Sequence, residues 1–210
     1  MEAQADPAFA AVVNGADLAT ADGMPIRHSI KRFRGHAQER VAGNDLMPAV
    51  MAAAEREGLS IWLPGGEEQV LDAIVHKAAQ EYPKLRIAGS YAPPYRPATS
   101  EERDKEAALI TASNAHIVFV SLGCPKQEKW MATMKGKVPA VMLGVGGAFL
   151  LFAGVDKRAP RWMRDLSLEW VYRLWLEPGR LWKRYLTTNS AFAWMYAKEL
   201  VRSRRTTAQH

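Results

Sequence analysis

His116-Ile117-Val118-Phe119-Val120-Ser121-Leu122 is the most strand-like run in the chain, and Gly123-Cys124-Pro125-Lys126-Gln127-Glu128-Lys129-Trp130 follows it without a gap. An unbroken apolar, β-branched run has no outward polar alternation, which is the pattern of a strand buried on both faces. Glycine and proline then turn the chain, and a helix is expected from about Lys126. A strand running through a tight turn into a helix is the unit from which parallel sheets are built.

The same alternation extends in both directions. Asn44 is read as the N-cap of a helix through Leu46, Ala49, Val50 and Ala53 that stops at Gly58. Leu59 to Leu63 reads as a short strand entering Pro64-Gly65-Gly66, and Glu67 to Tyr82 as a helix with Val70, Ile74, Val75 and Ala78 on one face. Leu85 to Ala88 is strand-like, and Ser90 to Thr99 is a loop. Ser100 caps a charged helix to about Ser113, and Ala140 to Val145 is a further strand ending in Gly146-Gly147. Short strands alternating with helices predict an α/β fold, a parallel sheet flanked by helices. Ligands of such sheets bind beyond the carboxyl ends of the strands, so Pro64-Gly65-Gly66, Gly123 to Gln127 and Gly144 to Gly147 should share one rim.

Chemistry is expected on that rim. Backbone N–H groups and the helix dipole at the start of the Lys126 helix favour a diphosphate, with Lys126 balancing charge and Gln127 donating to an oxygen. An ordinary strand-to-helix turn has the same pattern. Gly144-Val145-Gly146-Gly147-Ala148-Phe149 approaches the dinucleotide fingerprint but puts Phe149 at its last glycine, so tight backbone packing explains it equally well. Asp22-Gly23-Met24-Pro25 reads as a turn with one carboxylate. Partial burial there would raise its pKa toward that of a general base, although most Asp-Gly pairs are simply turns.

Composition sets the outer limits. The chain has 210 residues, 48% of them hydrophobic, which suits one domain with an appendage. One cysteine, Cys124, permits no internal disulfide and favours a reducing compartment. Met1 to Ala11 lacks the basic and apolar regions of a secretory leader, and no long uncharged apolar stretch could span a bilayer. Charge is uneven: residues 157–210 hold 12 Lys and Arg against 4 Asp and Glu, leaving 16 basic and 18 acidic residues in 1–156. Five of the seven tryptophans (Trp162, Trp170, Trp175, Trp182, Trp194) lie in that basic segment. Basic charge interleaved with Trp suits an anionic membrane surface or a nucleic acid, and a solvated helix pair with buried Trp is the plain alternative. The division expected is therefore an α/β domain at 1–156 and a helical appendage at 157–210.

Taken in order, Ala21-Asp22-Gly23-Met24-Pro25, Arg40-Val41-Ala42-Gly43-Asn44-Asp45-Leu46, Gly123 to Trp130, Gly144 to Phe149, Arg158-Ala159-Pro160-Arg161-Trp162 and Leu168-Glu169-Trp170-Val171-Tyr172-Arg173-Leu174 resemble the WecG/TagA/CpsF family of bacterial glycosyltransferases. The resemblance covers roughly residues 6–186. It implies a Rossmann-like parallel sheet with a C-terminal membrane-docking helical appendage. It also implies an inverting transfer of N-acetylmannosamine, its uronate or a related hexose. The donor would be a UDP-sugar and the acceptor a polyprenyl-diphosphate-linked sugar, in teichoic acid, exopolysaccharide or other cell-surface polysaccharide synthesis.

No cofactor is implied, and no metal motif is seen. The matching positions make Asp22 the base that deprotonates the acceptor hydroxyl, with Arg40 and Gln127 stabilising the leaving diphosphate. Gly43, Asn44, Gly65, Gly66, Lys126, Glu128, Gly146 and Gly147 complete the implied substrate site. The basic positions Arg173, Arg180 and Lys183, with Arg184 beside them, would meet the membrane or the lipid diphosphate. On one continuous helical wheel Arg180 and Arg184 fall within about 20° of Arg173, with Trp175 and Trp182 opposite.

The implied place is the cytoplasmic face of the plasma membrane, held peripherally. No nucleic-acid motif accompanies the basic segment, so nucleic acid is not an expected partner; a homo-oligomer is compatible with the sequence. Two departures stand out. Family members usually carry a further N-terminal segment with a strand and a Thr-Pro-Asn sequence, and they commonly have Asp where this chain has Leu150. A membrane-surface binding homologue that has lost turnover is therefore the alternative to the enzyme.

Overall fold

A computed structural model describes the backbone of residues 2–166 and 168–207, with side chains throughout except at 164, 165, 180, 184 and 204–207. The order of elements is α1 (Glu2–Ala5), α2 (Pro7–Asn14), α3 (Met24–Arg34), α4 (Gly43–Glu57), β1 (Ser60–Pro64), α5 (Glu68–Glu81), β2 (Arg86–Tyr91) and α6 (Ser100–Ala112). There follow β3 (Ile117–Val120), α7 (Lys126–Met134), β4 (Val141–Gly144), α8 (Ala148–Phe152), α9 (Arg161–Asp165), α10 (Glu169–Leu176) and α11 (Pro178–Thr207). They form two compact units, one of Ala8–Thr20 and Val41–Lys157, the other of Met1–Pro7, Ala21–Arg40 and Arg158–His210.

The first unit is the expected α/β layer. Its four strands are all parallel, in the order β2-β1-β3-β4. Alternation along the strands sorts the core onto two faces. Ile61, Leu63, Ile117 and Phe119 pack with Met47, Met51 and Ala54 of α4, Val70, Leu71 and Ile74 of α5, and Phe149 and Phe152 of α8. Trp62, Val118 and Val120 face the other way, onto Ala107 and Ile110 of α6 and Trp130 and Met134 of α7. Both faces are covered, which is why these strands read as unbroken apolar runs. A Cβ at Gly89 would stand 2.2 Å from the Trp62 ring, so the small residue in β2 is what lets that indole lie over the sheet.

Several boundaries differ from expectation for local reasons. α4 starts two residues earlier, with Ala42 at the cap, so Asn44 sits inside the first turn and caps nothing. α6 is capped by Thr99 rather than Ser100: Thr99 Oγ1 accepts from the Glu102 N–H while the Glu102 carboxylate accepts from the Thr99 N–H, a reciprocal capping box. β2 runs on to Tyr91, into the stretch expected to be loop.

In the second unit, Asp22-Gly23 is the entry to a helix: Met24 opens α3, with Pro25 in the first turn, where a missing N–H costs nothing. The C-terminal segment is helical as expected, but Glu177 breaks it (φ −131°, ψ 60°). Arg173 lies on α10 and Arg180, Lys183 and Arg184 on α11, so the single-wheel alignment does not carry across the break. α11 packs on α3 through Phe33 and Tyr196, whose rings meet edge to face at 5.1 Å. No helix among the described residues is long and apolar enough to cross a membrane.

Candidate active site

In the order β2-β1-β3-β4 the connections reverse direction between β1 and β3, and the crevice beyond their carboxyl ends is where such sheets bind ligands. Gly65 and Ser121 meet there in an isolated parallel bridge. Gly65 has φ +111°, and a Cβ on it would stand 2.4 Å from the Ser121 carbonyl oxygen, so both backbone shape and space demand glycine. Gly43, at the start of α4, is held as closely: a Cβ would come within 2.4 Å of the Val145 carbonyl oxygen.

Two of the three predicted rim segments are joined by hydrogen bonds centred on Gly146, and the third is tied in through Ser121, whose N–H donates to the Pro64 carbonyl at 3.1 Å. The Gly146 N–H donates to Gln127 Oε1 at 3.1 Å, and its carbonyl accepts from Ser121 Oγ at 2.8 Å. Gln127 is buried, and its Nε2 donates to Glu128 Oε1 at 2.9 Å. The amide is thus fixed in one orientation by an N–H on one side and a carboxylate on the other, with one Nε2 hydrogen left over. The second Glu128 oxygen, Oε2, is buried without a hydrogen-bond partner among the described residues, an acceptor on the rim.

At the start of α7 the Gln127 N–H is already used, by the Gly123 carbonyl at 2.9 Å. Lys126 is exposed, its Nζ 5.5 Å from the centroid of the Tyr95 ring. A Cβ at Gly66 would stand 3.6 Å from the Phe149 ring, Gly147 is the N-cap of α8, and Asn44 lies in the first turn of α4. Leu150 packs against the apolar core, where the family's carboxylate would offer a polar group.

The second unit holds the carboxylate and arginine singled out by sequence. The Arg40 guanidinium donates from Nε to the Asp22 carbonyl at 2.6 Å, stands 3.5 Å from the Asp22 carboxylate, and donates from a terminal nitrogen to Glu169 at 2.9 Å. Arg40 and Glu169 are half-buried, at 21% and 19% side-chain exposure, whereas the Asp22 carboxylate is 73% exposed. The condition attached to Asp22 as a base, partial burial, is therefore not met. Sequence reasoning gave Glu169 no role. Its only signal was its place between Leu168 and Trp170 in a quoted motif.

Among the appendage positions, Arg173 and Lys183 are exposed, with Lys183 Nζ 5.5 Å from the Trp182 ring centroid, and the side chains of Arg180 and Arg184 lie outside the described residues. The tryptophans are not core residues: Trp162, Trp175 and Trp194 are 59%, 77% and 74% exposed.

A parallel sheet with a glycine-built rim at its switch point is the architecture of an α/β protein that takes its ligand beyond the strand ends. More narrowly, residues 1–206 match the model of the glycosyl transferase WecG/TagA/CpsF family, and the chain belongs to that family. It is 36% identical over 177 residues to the N-acetylglucosaminyldiphosphoundecaprenol N-acetyl-beta-D-mannosaminyltransferase of Bacillus subtilis (strain 168), an alignment covering 84% of this chain and 67% of that protein. The chain is thus a glycosyltransferase of cell-surface polysaccharide biosynthesis.

Proposed function

We propose that this enzyme transfers N-acetylmannosamine, or a closely related hexose, from a UDP-sugar to a polyprenyl-diphosphate-linked acceptor, with inversion at the anomeric carbon. The observation that carries the reading is the fixed Gln127 amide on the rim, beside a family match and a relative whose name specifies both sugars. Asp22 takes the proton of the acceptor hydroxyl as that oxygen bonds to the anomeric carbon. The bond from that carbon to the UDP oxygen breaks, and negative charge builds on the diphosphate. Arg40 and the remaining Gln127 N–H, each oriented within its own unit, are the groups assigned to stabilise that charge. The proposed chemistry relies on these side chains and asks for no metal.

The acceptor's lipid requires work at a membrane surface, and exposed Trp beside Lys and Arg is the composition of an interfacial segment. The enzyme is proposed to dock peripherally on the anionic cytoplasmic face through its second unit, with Arg173, Arg180, Lys183 and Arg184 near lipid phosphates.

Titration with UDP, followed by turnover of UDP-N-acetylmannosamine with a short-chain polyprenyl-diphosphate-N-acetylglucosamine, tests the reading. Binding and transfer are expected. UDP binding without transfer from any donor in a panel would favour the alternative, a binding homologue that has lost turnover. Absence of UDP binding would overturn the nucleotide assignment.

A further inference from the structure

The sequence reading placed the basic character of this protein after residue 157, but the structure isolates a second cationic feature. From Met24 to Gln38 the chain carries Arg27, Lys31, Arg32 and Arg34, together with His28 and His36, and no Asp or Glu. This is α3 and the turn after it. Among the described residues none of these four cations forms an ion pair, whereas Arg40, Arg56, Arg96 and Lys137 each have a carboxylate partner.

A small, solvent-open cleft of about 100 Å³ lies against this helix, lined by Arg27, His28, Lys31, Ala37 and Gln38. Arg27 and Lys31 are one helical turn apart and share a face. Arg27 is half-buried, and its Nε donates to the Gln38 carbonyl at 2.9 Å. That bond fixes the plane of the guanidinium and leaves its terminal N–H groups for another acceptor, the arrangement that favours two-pronged binding of a tetrahedral oxyanion. His28 and Lys31 are exposed and make no hydrogen bond or ion pair among the described residues.

We propose that Arg27, His28 and Lys31 form a phosphate-binding site, with Arg27 as its oriented donor and Lys31 and His28 closing it. The ligand is a phosphate or diphosphate group with free oxygens, supplied by a lipid headgroup or by a soluble phosphate compound. Arg32 and Arg34 belong to the same helix but do not line the cleft, so they add field without contact. The site does not depend on sugar transfer, and its test reads binding alone.

The experiment uses the full chain and two double variants, H28Q/K31Q and R32Q/R34Q, checked for unchanged thermal unfolding. Each is titrated with inorganic diphosphate and sedimented with phosphatidylcholine vesicles containing phosphatidylglycerol. The expected result is a loss of about tenfold in affinity for at least one probe in H28Q/K31Q, against less than about threefold in R32Q/R34Q, although the second pair removes more charge. A loss confined to diphosphate assigns a soluble ligand, and a loss confined to vesicles assigns a lipid headgroup. Equal or greater loss in R32Q/R34Q would reduce the cleft to diffuse electrostatics and overturn the proposal. So would unchanged binding of both probes by H28Q/K31Q.

Discussion

Arg40 reaches Glu169 across 129 positions of sequence and holds it at 2.9 Å, while its Nε grips the carbonyl of Asp22 at 2.6 Å. The arginine assigned to the leaving diphosphate is therefore also the brace of the loop that carries the proposed base. A planar, always-charged fork can do both, because its five N–H groups point in different directions. A half-buried pair of this kind is worth about 1 kcal/mol as a coupling, more than a surface pair and less than a fully buried one. A double-mutant cycle of R40K and E169Q, read by thermal unfolding, should return that coupling. In kinetics E169Q should lower kcat/KM by roughly tenfold and weaken UDP binding with it, since Glu169 acts by positioning the Arg40 that meets the diphosphate. Additive effects of the two substitutions would remove Glu169 from the site.

Asp22 can be tested more directly. With its carboxylate 73% exposed, Asp22→Asn removes little packing, so the fold and the UDP affinity should persist. Turnover should fall by a factor on the order of 10²–10⁴, the usual worth of a positioned general base. Full turnover in that variant would assign the base elsewhere.

The rim makes a prediction about backbone. Gly65→Ala drives a Cβ to within 2.4 Å of the Ser121 carbonyl at φ +111°, which should cost about 3 kcal/mol or more and open the switch point. Gly123 also has positive φ, +74°, but a Cβ there meets nothing within 4 Å, so Gly123→Ala should cost only about 1 kcal/mol. Chemical denaturation of the two variants side by side measures the difference. Equal losses would mean that backbone conformation, rather than the contact with Ser121, sets the need for glycine.

Glu106 gives the protein a pH dependence away from the rim. It is buried on α6, and burial pushes its carboxyl pKa up from the ordinary 4.5, with the Trp130 indole N–H at 3.0 Å pulling it partly back. The folded chain thus holds this proton more tightly than the unfolded chain. Its contribution favours folding at low pH and is lost as pH rises from the unfolded value of 4.5 through the higher folded value. Glu106→Gln keeps an acceptor for Trp130 without the buried charge. It should unfold at a higher temperature than the unmodified protein at about pH 7.5, with the gap closing below about pH 4.5. A variant less stable at the higher pH would show that the ionised carboxylate is better paired than its surroundings indicate.

The four strands, their parallel sense and the three rim segments were legible because each is written locally: continuous apolar runs for strands covered on both faces, and Gly or Pro where the chain turns. The roles of Ser121 and Glu169 were not. Ser121 acts on Gly146, and Glu169 acts on Arg40, through bonds between segments that sequence pattern does not pair. α3 was missed because Asp22-Gly23-Met24-Pro25 satisfies a turn and a helix entry equally, and Pro25 sits where either allows it. Asn44 was taken for a cap on propensity, whereas the close approach of Gly43 to Val145 fixes where α4 begins.

The exposed tryptophans carry the last prediction. Trp175 and Trp194 stand 77% and 74% exposed, on α10 and α11, where burial in this chain gives them little stabilisation. A large aromatic left in water loses about 25 cal/mol for each Å² that a neighbouring apolar phase could cover. Interfacial insertion recovers that loss, and nearby Lys and Arg add attraction to anionic headgroups. Trp175→Ser with Trp194→Ser should therefore weaken sedimentation with phosphatidylglycerol-containing vesicles by roughly tenfold or more while leaving UDP affinity and thermal stability nearly unchanged. Retention on vesicles at full strength would place the membrane contact on other residues. A large drop in stability would mean that these rings pack within the protein rather than against lipid.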